Sequence, residues 1–239
     1  MRRPSHWNGA RLRAGLRACQ EVAKRPTPTT WTWQAERGPR ARTYRLLMSE
    51  AMTLVRRGRI PSVAEVALNA GVSRATAYRY FRSRSTLITA VLEEALRPVR
   101  RYVPQAADGL ARLRELFEKT YPRFTEYEPH MRAALQLALE HQSLERIGLL
   151  EEEPFRRGHR RFLLHRAAAP LKAKLGAKAY ERLLKALSLV YGIEPYVVLK
   201  DMWGARDREV EALSRWVLEA LVETALRQAT RKPARRGGA

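Results

Sequence analysis

Apolar residues recur along this chain at intervals of three and four, the period of helices that bury one face, and nothing in the pattern requires a strand. Leu46, Leu47, Ala51, Leu54 and Val55 form one such stripe, which ends at Gly58. Val63, Val66 and Ala67 give a second, shorter one, with Ser62 just after Pro61 placed to cap its start. Gly71 then follows Asn69 and Ala70 at a point where a left-handed residue reverses the chain, and Ser73 offers the next N-cap. Two short helices joined by one tight turn are therefore predicted over residues 62–81. The second of them crowds Arg74, Thr76, Arg79 and Tyr80 into two turns, while Ala77, Tyr78 and Phe81 supply its packing side. Such a helix is too polar for a core and too aromatic for an idle surface, and it suits the major groove of DNA.

The same period continues almost to the end. Leu87, Val91, Leu92 and Ala95 mark a helix that leaves the helix-turn-helix in one run, with Pro98 and Pro104 as kink or stop. Asp108 caps the next, whose wide apolar face runs from Leu110 to Tyr127 and is expected to break near Pro122. Pro129 opens a helix carrying Met131, Leu135, Leu137 and Leu139, and Glu151 to Pro154 are expected to open another through Phe155, Phe162 and Leu163. Two long helices close the pattern, 180–199 and 207–227. Both are apolar over more than one face, and surplus apolar surface of that kind points to a partner.

The helix-turn-helix resembles the DNA-binding domain of the TetR/AcrR family of bacterial transcriptional regulators. The resemblance rests on Gly71, Val72 and Ser73, then Arg74 to Ala77, then the aromatic ending Tyr78, Arg79, Tyr80 and Phe81. The segment RSRSTLITAVLEEAL resembles the family's fourth helix, with Arg84 where a lysine is commoner. The implied fold is all-α: an N-terminal three-helix DNA-binding domain over residues 39–97, then an all-helical ligand-binding and dimerisation domain over 98–228. By the same resemblance Arg74, Ala75 and Thr76 read bases, and Ser62, Ser73, Tyr78, Arg79, Tyr80 and Arg84 hold phosphates. Tyr121, Phe124, Tyr127, Met131, Phe155, Phe162 and His165 fall on the helices that surround the family's inducer pocket. Leu187, Val190, Tyr191, Val198, Val210, Leu213, Val217 and Leu221 fall on the last two helices, which pair with a second subunit, and GIEPYVVLKDMWG resembles the segment joining them.

Charge agrees with a polyanionic partner. The 239 residues hold 46 Lys and Arg against 24 Asp and Glu, net +22, and the positive charge is denser up to Arg97 than beyond it. Residues 1–38, with Pro26, Pro28, Trp31 and Trp33, read as a basic extension outside the fold. Within it Ala10 to Lys24 has helical spacing, so a disordered arm, a misassigned start and a phosphate-binding arm all remain open. Residues 229–239 read as a basic disordered tail. The single Cys19 excludes an internal disulfide and suits a reduced cytoplasm, and no uninterrupted apolar run reaches membrane-spanning length.

Catalytic chemistry finds little support. Neither His159 with His165 nor His130 with His141 has the spacing that puts two imidazoles on one helical face, so neither a metal nor another cofactor is expected. Glu151, Glu152 and Glu153 suit the dipole of a helix start better than acid–base work, since no paired His, Ser or Lys accompanies them. The resemblance implies a homodimeric repressor on a palindromic double-stranded DNA operator, released by a small-molecule effector. The other reading is a basic architectural DNA-binding protein whose body only dimerises.

Overall fold

In the computed structural model, Gly38–Phe155 and His159–Thr230 are described; among them all regular structure is helical and no strand occurs. The chain divides between Leu46 and Leu47, so the recognition helices, the body and its cavity all belong to the second unit. That division falls inside α1 (Pro39–Arg56), where Leu47, Ala51, Leu54 and Val55 are buried and Leu46 is exposed.

Helices α2 (Val63–Asn69) and α3 (Arg74–Tyr80) form the helix-turn-helix. Ser62 accepts from the Glu65 amide while the Glu65 carboxylate accepts from the Ser62 amide, a reciprocal cap that fixes where α2 begins. The turn places Gly71 at φ +65°, a backbone region that side chains with a Cβ disfavour. Ser73 accepts from the Thr76 amide and starts α3. A second reciprocal cap, Ser83 with Thr86, starts α4 (Arg84–Ala95).

The run from α4 into the body is not one continuous helix. It breaks at Leu96 and resumes as the five-residue α5 (Arg97–Arg101), because Pro98 cannot extend the preceding turn. Asp108 caps α6 (Gly109–Glu126), and this helix passes through Pro122 without breaking. Pro122 and Glu118, whose carbonyl it leaves without a donor, both lie in exposed residues, where water can replace the lost bond. Helix α7 (Glu128–Arg146) opens at Pro129. The expected helix start at Glu151 to Pro154 is absent. Those residues are non-helical, and α8 is described from His159 to Ala168.

The last long pair also departs from the pattern. Helix α9 runs from Leu171 to Val190 with a kink at Gly176. The chain then turns at Gly192 into a short α10 (Glu194–Tyr196) continued by a π-helical turn, Val197–Met202, before α11 (Asp207–Thr230). Pro195 explains the interruption, since it lies in the first turn of a helix and not inside one.

The core gathers α6, α8, α9 and α11 around Leu113, Phe117, Tyr121, Leu171, Leu187 and Leu218. Phe117, Tyr121, Phe124, Tyr191 and Tyr196 form one aromatic cluster with ring centroids 5.1 to 6.1 Å apart. Its hydroxyls are satisfied: Tyr121 donates to the Val190 carbonyl at 3.1 Å, and the Thr120 and Tyr191 hydroxyls pair at 2.9 Å.

Candidate nucleic-acid interface and body cavity

Arg74 and Ala75 are exposed and Thr76 is half-buried at the open start of α3, whose packing side is held by Ala77 and, just past its end, Phe81, both buried. Thr76 accepts a 2.9 Å hydrogen bond from the Ser73 hydroxyl, which leaves its own hydroxyl proton available. Tyr78 and Arg79 are also exposed, and Tyr80 is half-buried. This helix therefore presents cationic, hydroxyl and aromatic groups together at one protein surface. If Arg79 neutralises one phosphate, Arg79→Ala lowers the magnitude of the log K against log salt slope by about 0.9, measured on both specific and random DNA.

Arg84 does not join them. Its guanidinium lies 2.6 Å from Glu140 and 3.4 Å from Glu152, so in this structure it is engaged internally and not alongside the exposed groups of α3. Around it sits a polar latch between α4 and the body. Ser85, only 5% exposed, donates to the Glu153 carbonyl at 2.9 Å. The Phe155 amide donates to His141 Nδ1 at 3.1 Å. With Nδ1 accepting, the proton of a neutral imidazole sits on Nε2, which lies 3.1 Å from Glu152 but off the line of a good hydrogen bond. Glu152, expected to serve a helix dipole, is instead a bridge between Arg84 and His141. At the far end of α4, Arg123 donates twice to the Ala95 carbonyl, at 3.0 and 2.7 Å.

A cavity of about 130 Å³ opens beside this latch, lined by α4, α6, α7, α8 and the Gly192 turn. Of the residues expected around an inducer pocket, Phe124, Met131 and Phe155 line it. Tyr121 is in the core instead, stacked on Tyr196. Tyr127 packs under Arg123 and against His130. Phe162 is half exposed, and the His165 ring meets Tyr180, whose hydroxyl donates to the His165 carbonyl. Neither lines the cavity.

Sequence reasoning missed Arg100, His159 and Arg160, which supply its polar wall. Arg100 pairs with Glu93 at 2.9 Å; burial pushes the Glu93 carboxyl up and the Arg100 guanidinium down from their ordinary ranges. Arg160 donates to the Ser188 carbonyl at 2.8 Å and pairs closely with Glu194. Burial, with Arg100 nearby, holds the His159 imidazole down at about 4, so it is neutral at physiological pH. No local signal marks these three, because residues distant in sequence bring them together.

Three of the expected interface residues are unavailable to a partner. Leu187, Tyr191 and Val210 are at most 2% exposed within the chain's own core, because α9 and α11 pack on each other and α11 packs on α6. Val198 and Leu213 are exposed, while Val190, Val217 and Leu221 are half-buried. Beside Leu213, the exposed Ala212, Trp216 and Ala220 extend one apolar stripe along α11, and Leu189, Met202 and Trp203 are exposed on the preceding elements. Among the described residues no helix is long and apolar enough to cross a membrane.

Residues 61–91 match the family model described as bacterial regulatory proteins, tetR family. The match begins just before α2 and ends within α4, so it covers the recognition helix and the first half of the latch. No curated protein and no solved structure gives a match.

Proposed function

Since this chain is a DNA-binding transcriptional regulator of the TetR family through residues 61–91, we propose that it is a homodimeric repressor released from its operator by a small molecule held in the body. Arg74, Ala75 and Thr76 read bases, while Ser62, Ser73, Tyr78, Arg79 and Tyr80 fix the register on phosphates. The second copy seats on the apolar stripe of α11 at Leu213 and Trp216, joined by Val198, Val217 and Leu221. A two-fold dimer carries two identical heads to half-sites about 34 to 36 Å apart, or a multiple of that.

The observation that carries the release step is the shared residue Phe155. Its side chain lines the cavity and its amide binds His141, whose neighbour Glu152 holds Arg84 at the start of α4. A ligand that moves Phe155 thus disturbs the contacts that position α4 and, through it, the recognition helix. Release requires that the ligand bind the DNA-incompetent arrangement more tightly, since equal affinity for both shifts nothing.

The test has two parts. Operator DNA is selected from a random pool, and the mass of the free and bound protein is measured in solution; Trp216→Glu should give a monomer with weakened operator binding. A library of small metabolites is then screened for loss of the complex. A monomer that binds a single half-site as tightly as wild type, or a cavity ligand that leaves operator affinity unchanged, refutes the corresponding half of the proposal.

A further inference from the structure

Histidine is the side chain that commonly changes charge between about pH 5 and pH 8, and the latch between α4 and the body has one at its centre. The Phe155 amide can only donate, so its 3.1 Å bond to His141 requires a bare lone pair on Nδ1. A second proton on the ring has to enter at that atom, because Nε2 carries the first. Nδ1–H would then confront Phe155 N–H, donor against donor. Another acceptor lies beside it. The Ser85 hydroxyl is 3.4 Å from Nδ1, and since its own proton goes to the Glu153 carbonyl, its oxygen has lone pairs to offer.

The charged groups around the ring come from three elements. From the loop after α7, Glu152 sets a carboxylate oxygen 3.1 Å from Nε2, a counter-charge for an imidazolium whose side chain is only 2% exposed. From α4, Arg84 meets the same carboxylate at 3.4 Å and is held at 2.6 Å by Glu140 of α7 itself. Arg82, Glu65 and Glu151 line the open groove beyond, with Glu65 paired to Arg59. A protonated ring therefore keeps Glu152 beside it and changes only what Nδ1 binds.

We propose that the latch is operated by a proton: on protonation, His141 Nδ1 leaves the Phe155 amide and donates to Ser85 on α4, which frees the Phe155 segment of the cavity wall. Its effect on DNA rests on the release route proposed above, whereas the exchange of partners can be followed without DNA.

On the isotope-labelled full chain, NMR follows the Phe155 amide and the His141 ring nitrogens from about pH 8 to about pH 5. They should move on one titration curve, the amide proton losing the shift of a hydrogen-bonded group as Nδ1 becomes protonated. In His141→Asn, whose side-chain oxygen can stand where Nδ1 stands and does not titrate, the Phe155 amide should hold its position. Affinity for the selected operator should fall about ten-fold more in wild type than in His141→Asn over the same range. A ring that stays unprotonated throughout, an amide indifferent to its titration, or an equal amide shift in His141→Asn would overturn the switch. Should the variant fail to fold, the wild-type titration of amide against ring decides alone. Amide and ring moving together while operator affinity tracks that of the variant would support the switch and refute its route to the DNA.

Discussion

Arg74→Ala is expected to lower affinity for the selected operator at least about 30-fold while leaving affinity for random DNA within about three-fold. Arg74 is the first residue of α3, exposed, and without a partner among the described residues, so its guanidinium is free to meet a guanine edge through two parallel hydrogen bonds. A good bidentate contact discriminates by about 1–3 kcal/mol per base, and two copies in a dimer compound the loss. Random DNA is held by phosphate contacts, to which one arginine contributes little once its base is absent. Binding-site selection on the variant checks this directly: the consensus should flatten at one position of each half-site. An unchanged consensus would place base reading on other side chains.

His141→Ala is expected to destabilise the fold by about 3 kcal/mol, a loss of roughly 10 °C in the thermal midpoint for a chain of this size. The side chain is 2% exposed, and its removal leaves the Phe155 amide without an acceptor and Glu152 facing an empty space. The main penalty arises from the buried amide losing its acceptor and from the space left by the ring, and it outweighs the small net value of the bond itself. Calorimetric unfolding of wild type and variant measures the difference. A change below about 1 kcal/mol would mean that water replaces the imidazole at no cost. Arg84→Ala provides the companion test: it should weaken the latch while leaving the salt dependence of DNA binding unaltered, whereas loss of one phosphate contact in each of two subunits would reduce the magnitude of the slope by about 1.8.

The helix-turn-helix was legible because its determinants are local. Ser62, Gly71 and Ser73 each act on residues within three or four positions, and the caps form where the spacing places them. The ion pairs of Arg84 were not legible for the opposite reason: its partners Glu140 and Glu152 lie far along the chain, and a cation beside a recognition helix looks the same whether it faces phosphate or carboxylate. Glu151 to Glu153 misled similarly, since a run of carboxylates before a proline fits a helix start as well as a loop. The apolar surplus on α9 and α11 was real, but the sequence could not apportion it. Leu187, Tyr191 and Val210 are buried in the chain's own core, Tyr191 as a member of its aromatic cluster, and Leu213 and Trp216 are left outside. Of the cavity, only the aromatic and methionine side of Phe124, Met131 and Phe155 was visible in advance.

The two-ended fastening of α4 bears on how such proteins can be recombined. Arg84 and Ser85 tie its first turn to α7 and the loop after it, and Arg123 of α6 holds the carbonyl of its last residue. A chimera that grafted this helix-turn-helix and α4 onto a foreign body would carry a serine and an arginine selected for partners it no longer had. The transferable module is therefore not a stretch of sequence but a set of matched positions: Arg84, Ser85, Glu140, His141, Glu152 and Arg123 have to travel together, and a graft that omits the last four should bind operator DNA yet fail to answer any ligand.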